Sequence, residues 1–142
     1  MRMVRFISFF AMGLFLIIGC GKNNDTNTTV QEGTCKGPII VHVSDGQPKS
    51  EPIYSWDNGL VTAADIIAVA RTSNLSTPVW EIQSAPPQTN KIQSPWQQGT
   101  TSGSVSTIAN TEVTLQSQIE YRVTITDQDG VTSGYCNFTI TQ

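Results

Sequence analysis

The sequence predicts an all-β fold: a β-sandwich of about seven short strands over residues 35–142, preceded by a signal segment and a flexible tether. Three observations carry this. No stretch sustains a 3.6-residue apolar period, whereas alternation with period two recurs. Turn-forming Asp-Gly, Asn-Gly and Pro-Pro pairs separate the alternating runs. Finally, only 13% of residues are charged, against about 25% in an ordinary globular domain. Polarity comes instead from 18 Thr, 13 Ser, 11 Gln and 8 Asn. Thr-rich, Lys-poor composition suits strands. It also argues against nucleic acid, because phosphate binding needs clustered Lys and Arg.

The N-terminus reads as an address. Arg2 and Arg5 precede an apolar run from Phe6 to Gly19. That run is shorter than the roughly 20 residues a membrane-spanning helix needs, so it fits a secretory signal better than a span. Its end, Ile17-Ile18-Gly19-Cys20, resembles the lipobox of bacterial lipoproteins: an aliphatic residue, a small residue, then cysteine. The resemblance implies cleavage before Cys20, a diacylglycerol thioether on its sulfur and acylation of the new amino terminus. It places the protein in the bacterial cell envelope, attached to the membrane through the lipid, and Gly21 favours the outer membrane if the envelope is Gram-negative. Removal of residues 1–19 takes Arg2 and Arg5 with it and moves the formal net charge from −3 to −5. An acidic mature chain has no attraction to anionic headgroups, so attachment would rest on the acyl chains.

From Gly21 to Thr34 the only sizeable apolar side chain is Val30, and residues 20–34 are expected to form a flexible, lipid-bearing tether. With Cys20 assigned to the lipid, Cys35 and Cys136 form an even pair. In an oxidising compartment they are expected to join in a disulfide; two free buried thiols are the alternative. A metal centre is not expected, because His42 is the sole histidine and no third soft ligand exists.

The domain then divides into alternating runs. Ile39, Val41 and Val43 share one face of the first, with His42 and Ser44 opposite, before the Asp45-Gly46 turn. Pro52 to Trp56 is a short strand closed by Asp57-Asn58-Gly59. Ala64 to Arg71 is apolar on both faces, as a central strand should be, though its alanines also allow a short helix. Pro78 to Ser84 places Trp80 and Ile82 together, and Pro86-Pro87 ends it. Ile92 and the 104–109 region add two weaker strands. Ile119, Tyr121, Val123 and Ile125 form one face of the next strand, with Glu120, Arg122, Thr124 and Thr126 on the wet face. A turn at Asp127-Gln128-Asp129-Gly130 leads into Val131 to Ile140, completing a hairpin.

Leu115-Gln116-Ser117-Gln118-Ile119-Glu120-Tyr121-Arg122-Val123-Thr124-Ile125 resembles the E–F corner of fibronectin type III domains, where a leucine stands six residues before a tyrosine. Trp56 near a glycine turn, followed by 66–71, is similar to that family's B–C region. The resemblance covers roughly half the domain and implies an immunoglobulin-like sandwich. In it Leu115 and Tyr121 form a tyrosine corner, with the Tyr121 hydroxyl bonded to upstream backbone. Ser117 and Gln118 replace the usual Pro-Gly. A fold of this kind does not by itself define an activity.

Few residues read as chemistry. His42 points outward without an evident nucleophile, and no hydrolase, zinc-protease or phosphate-loop motif occurs. Asp127-Gln128-Asp129-Gly130 begins like a calcium loop but lacks the later ligands, so a hairpin turn is favoured. In a fibronectin-like topology Asp57 would approach Asp127 and Asp129, giving an acidic end suited to a cation or a basic partner. Trp56 and Trp80 read as core. Trp96, in the loop-like Ser94-Pro95-Trp96-Gln97-Gln98-Gly99, either anchors a partner or folds back over the sandwich. The expectation is a non-catalytic, lipid-anchored module without cofactor that binds a protein partner or serves an envelope assembly. The alternative is a small carbohydrate-binding module using exposed aromatics such as Trp96.

Overall fold

The computed structural model describes residues 28–57 and 63–142. Eleven strands follow in order: β1 (Thr29–Lys36), β2 (Ile40–Ser44), β3 (Ile53–Asp57), β4 (Ala63–Ala64), β5 (Ile66–Arg71), β6 (Pro78–Ser84), β7 (Ile92–Gln93), β8 (Trp96–Gln97), β9 (Val105–Asn110), β10 (Glu120–Thr126) and β11 (Ser133–Thr141). No helix occurs among the described residues. The pairing is antiparallel throughout: a six-stranded sheet in the order β1-β11-β10-β5-β6-β9, a three-stranded sheet β2-β3-β8, and the short pair β4-β7.

Alternation decides which face is buried. In β10, Tyr121, Val123 and Ile125 are buried while their neighbours are not, and β11 buries Cys136, Phe138 and Ile140 on the same side. Across the gap, β2 contributes Val41 and Val43, and β3 contributes Tyr54 and Trp56. The two faces meet in one core. Tyr54 of the small sheet lies 6.2 Å from the Trp80 ring and 6.0 Å from that of Phe138, both on the large sheet. Tyr121 stacks on Phe138 at 5.9 Å. Aromatic pairs at these distances add about 0.5–1.5 kcal/mol each beyond the area they bury. The Ala64–Arg71 stretch is extended, not helical: β5 sits mid-sheet between β10 and β6.

Two expectations are corrected. The stretch read as tether to Thr34 enters the sheet at Thr29, because β1 pairs along β11 from Thr29↔Thr141 to Lys36↔Tyr135, with a bulge between Glu32 and Cys35. Its polar composition misled, since an edge strand needs only backbone partners on one side and one apolar anchor, here Val30. The remainder of that stretch, residues 20–27, lies outside the described residues. The count of about seven strands becomes eleven: the strands not anticipated are the edge strand β1 and the two-residue pieces β4 and β8, which are too short to carry a periodic pattern.

Cys35 and Cys136 stand opposite each other in the β1–β11 register and form the disulfide, closing a loop with a sequence separation of 101. Such a loop is worth about 4–5 kcal/mol at most by chain entropy. Close backbone approach fixes the junction between the sheets. A β-carbon on Gly134 would overlap the Ile39 carbonyl oxygen and fall 2.7 Å from its carbon. Gly134→Ala should therefore cost about 3 kcal/mol or more in a denaturant titration, whereas Gly103→Ala, whose added carbon meets nothing within 4 Å, should be close to neutral.

Candidate functional site

The strand register sorts the domain into two ends. At one, Thr29 pairs with Thr141, Gln118 N–H donates to the Ile140 carbonyl, and Thr72 N–H donates to that of Glu120. At the other stand the β10–β11 turn and the start of β2: Ile39 lies against Gly134, Gly134 pairs with Ile125, and Ile40 pairs with Asp57. Asp57 and the Asp127–Gly130 turn therefore occupy the same end.

The carboxylates of that turn serve the turn itself. Asp129 Oδ1 accepts the amides of Val131 (2.9 Å) and Thr132 (2.7 Å), and Oδ2 accepts the Thr132 hydroxyl at 2.6 Å. Asp127 N–H donates to the Thr132 carbonyl, and Gly130, at φ 66°, supplies the left-handed residue that closes the reversal. The Thr132 hydroxyl first, then the Thr132 and Val131 amides, hold the Asp129 carboxyl below its ordinary value.

Trp96 is not an exposed platform. It pairs with Tyr54, shares that residue's inward face, and packs against the core with its indole nitrogen buried. A directly opposed partner in an antiparallel pair must point the same way, and that overrides the loop-like composition around it. It sits beside Tyr54 and not with Asp57 and the acidic turn.

At the opposite end, Leu115 is buried and the Tyr121 hydroxyl accepts the Gln116 amide at 3.1 Å while donating to Glu112 Oε2 at 2.8 Å. Glu112 Oε1 in turn accepts from Arg71 Nη2. A second buried arm reaches the same segment. The Tyr54 hydroxyl donates to Gln98 Oε1, and Gln98 Nε2 donates to the carbonyls of Val113 (2.6 Å) and Glu112 (3.1 Å). Residues 112–116, which have no strand partner, are thus held from two sides. Burial raises both hydroxyls above the ordinary tyrosine value.

Three further polar groups lie outside these networks. His42 is exposed, with Nδ1 3.6 Å from Glu32, whose carboxylate also accepts the Val43 amide. Glu32 lies with Cys35 and Cys136 within 4.8 Å, but the sulfurs are bonded to each other and offer no thiolate pair. Asp65, buried at the start of β5, accepts the Ser84 hydroxyl and the amides of Gln88 (2.6 Å) and Thr89 (3.3 Å), tying down the turn after β6. Asp65, Gln98 and Glu112 were not singled out from sequence. Only Asp65 carried a signal, an acid heading an otherwise apolar run. Cys20 lies outside the described residues.

Compared with known proteins, the chain matches no protein family, no curated protein and no solved structure. Its class is set by the architecture: an all-β, antiparallel, disulfide-linked domain.

Two measurements bear on these groups. Tyr121→Phe removes the acceptor for the Gln116 amide, and Tyr54→Phe strips Gln98 of its only hydroxyl donor; each should lower unfolding free energy by about 1–3 kcal/mol. The folded pKa of Asp129 lies below its unfolded value, so its stabilisation is present above the ordinary carboxyl range and is lost as pH falls through the folded pKa. Hydrogen-exchange protection at Val131 and Thr132 should consequently drop only below about pH 4, and Asp129→Asn should abolish that dependence.

Proposed function

We propose that the chain is a bacterial lipoprotein: a non-catalytic, lipid-anchored envelope or surface protein whose immunoglobulin-like, fibronectin type III-like sandwich acts as a protein-binding or structural accessory module. The observation that carries the reading is the succession of Arg2 and Arg5, an apolar run and Ile17-Ile18-Gly19-Cys20 directly ahead of a folded unit that starts at Thr29. Eight residues lie between Cys20 and Thr29, nine residue steps with a reach of at most roughly 30–32 Å. The lipid would therefore hold the domain near the bilayer by the end where Thr29 meets Thr141, with the Asp57 and Asp127–Gly130 end facing away.

The finer fold assignment is supported by the buried Leu115, six residues before Tyr121, and by the bond from the Gln116 amide to the Tyr121 hydroxyl. The protein-binding role draws on the absence of any hydrolase or phosphate-loop motif in the sequence and on a charge-poor, Thr-rich composition. With Gly21 after the cysteine, the outer membrane is the favoured address in a Gram-negative envelope.

Metabolic labelling with radioactive palmitate tests the anchor. Label should enter the wild-type chain and vanish in Cys20→Ala; label retained by that variant rules the assignment out. Gentle membrane solubilisation followed by co-purification then identifies the partner, which should be recovered with the wild-type chain from the same fraction.

A further inference from the structure

Glu32 stands on the core-facing side of an edge strand. In a regular strand, residues three apart point to opposite faces. The bulge between Glu32 and Cys35 cancels that alternation, because β1 advances three residues while β11 advances two, from Phe138 to Cys136. Glu32 is therefore opposite Phe138 and Cys35 opposite Cys136, and both partners lie on the buried face of β11. The extra residue in Glu32-Gly33-Thr34-Cys35 makes the two reactive side chains converge.

They converge closely. A carboxylate oxygen of Glu32 and the sulfurs of Cys35 and Cys136 all lie within 4.8 Å of one another. Strand β2 positions the carboxylate from the other side. It accepts the Val43 amide, and His42 Nδ1 lies 3.6 Å from Oε1. Among the described residues no Lys or Arg forms an ion pair with Glu32.

Two thiolates and a carboxylate, with an imidazole alongside, are ordinary ligands of zinc. The two-residue spacer between Glu32 and Cys35 is also a spacing at which neighbouring ligands chelate one ion. Two sulfurs about 2.3 Å from one tetrahedral ion stand about 3.8 Å apart. Directly opposed β-carbons of an antiparallel pair are about 4.5–5.5 Å apart, so side-chain rotation supplies that separation once the S–S bond is broken.

In the oxidised chain the sulfurs are engaged with each other. Cys35 is exposed and Cys136 buried, so an incoming thiolate meets the Cys35 sulfur first. A dithiol reductant attacks there, forming a mixed disulfide and expelling the Cys136 thiolate. Its second thiol then displaces Cys35, and the reductant leaves as a disulfide. Two electrons and two protons pass from the dithiol to the cystine, and metal binding afterwards releases the two thiol protons to solvent. We propose that reduction converts this strand edge into a zinc site, with Cys35, Cys136 and Glu32 as ligands and His42 as the fourth. The ion then replaces the disulfide in holding β1 to β11 and, through Glu32, stays tied to β2. This site depends on neither the lipid anchor nor the protein-binding role.

The test uses the full chain with Cys20→Ala, which removes the third thiol, in detergent. The oxidised form is compared with one reduced by a phosphine that is then removed without air. Cobalt(II) should bind the reduced form as a single ion per chain, with thiolate-to-metal absorption in the near ultraviolet and the visible bands of a tetrahedral site. Zinc should displace it, and should raise the melting temperature of the reduced form but not of the oxidised one. Glu32→Gln keeps an acceptor for the Val43 amide and removes the charge. It should weaken zinc binding about tenfold or more while the oxidised form melts unchanged. A reduced chain whose absorption and melting ignore both metals overturns the proposal. So does unchanged zinc affinity in Glu32→Gln, or a complex in which two chains share one ion.

Discussion

Tyr54 is fully buried between the two sheets, and its hydroxyl has to find an acceptor where water is excluded. That requirement organises much of the domain. The ring touches Trp80 and Phe138 of the large sheet, so the small sheet cannot slide along the large one without breaking aromatic contacts. The hydroxyl is met by Gln98, whose amide in turn holds the carbonyls of Glu112 and Val113. Glu112 then accepts from Tyr121 and Arg71. A chain of paired polar groups thus runs from the centre of the sandwich to the segment that joins β9 to β10. Each member is needed because the next would otherwise be a buried group without a partner.

The same network explains why a long segment without strand pairing stays ordered. Between β9 and β10 the backbone finds its partners in side chains and isolated carbonyls: Ser50 for Leu115, Tyr121 for Gln116, Val79 for Thr111 and Glu112. The large sheet, by contrast, rests on register, and its outer face is left free to carry polar groups such as Arg122, Tyr135 and Asn137.

Much of this was legible in the sequence, and the reasons for the rest are physical. Strands β2, β3, β6, β10 and β11 each bury alternate residues, so period-two alternation revealed them, whereas β5 was read from a run apolar on both faces that also allowed a short helix. Thr29–Lys36 has no such pattern, because its pairing with β11 rests on backbone groups and on Cys136, more than a hundred residues away. Trp96 was ambiguous for a similar reason: its inward direction is dictated by Tyr54, a partner 42 positions upstream. Gln98 looks like any other glutamine until the Tyr54 hydroxyl is placed against it. The outward alternation of Arg122 could be read directly, but the stacking on Tyr135 that holds it could not, since that depends on the register of two strands across a turn.

The side-by-side placement of Thr29 and Thr141 also has a mechanical meaning. Tension entering at the N-terminal end of the chain meets β1 first, and β1 is an edge strand held to its single sheet neighbour by a broken ladder. Peeling could proceed residue by residue through Thr34 with little work. At Cys35 it meets a covalent bond, and the load passes directly into β11, whose inner side chains lie in the core and whose other edge is bonded to β10. Residues 29–34 would act as a short extensible leader and the disulfide as a stop. The sandwich behind it would then keep its shape while the first six residues of its edge strand yield.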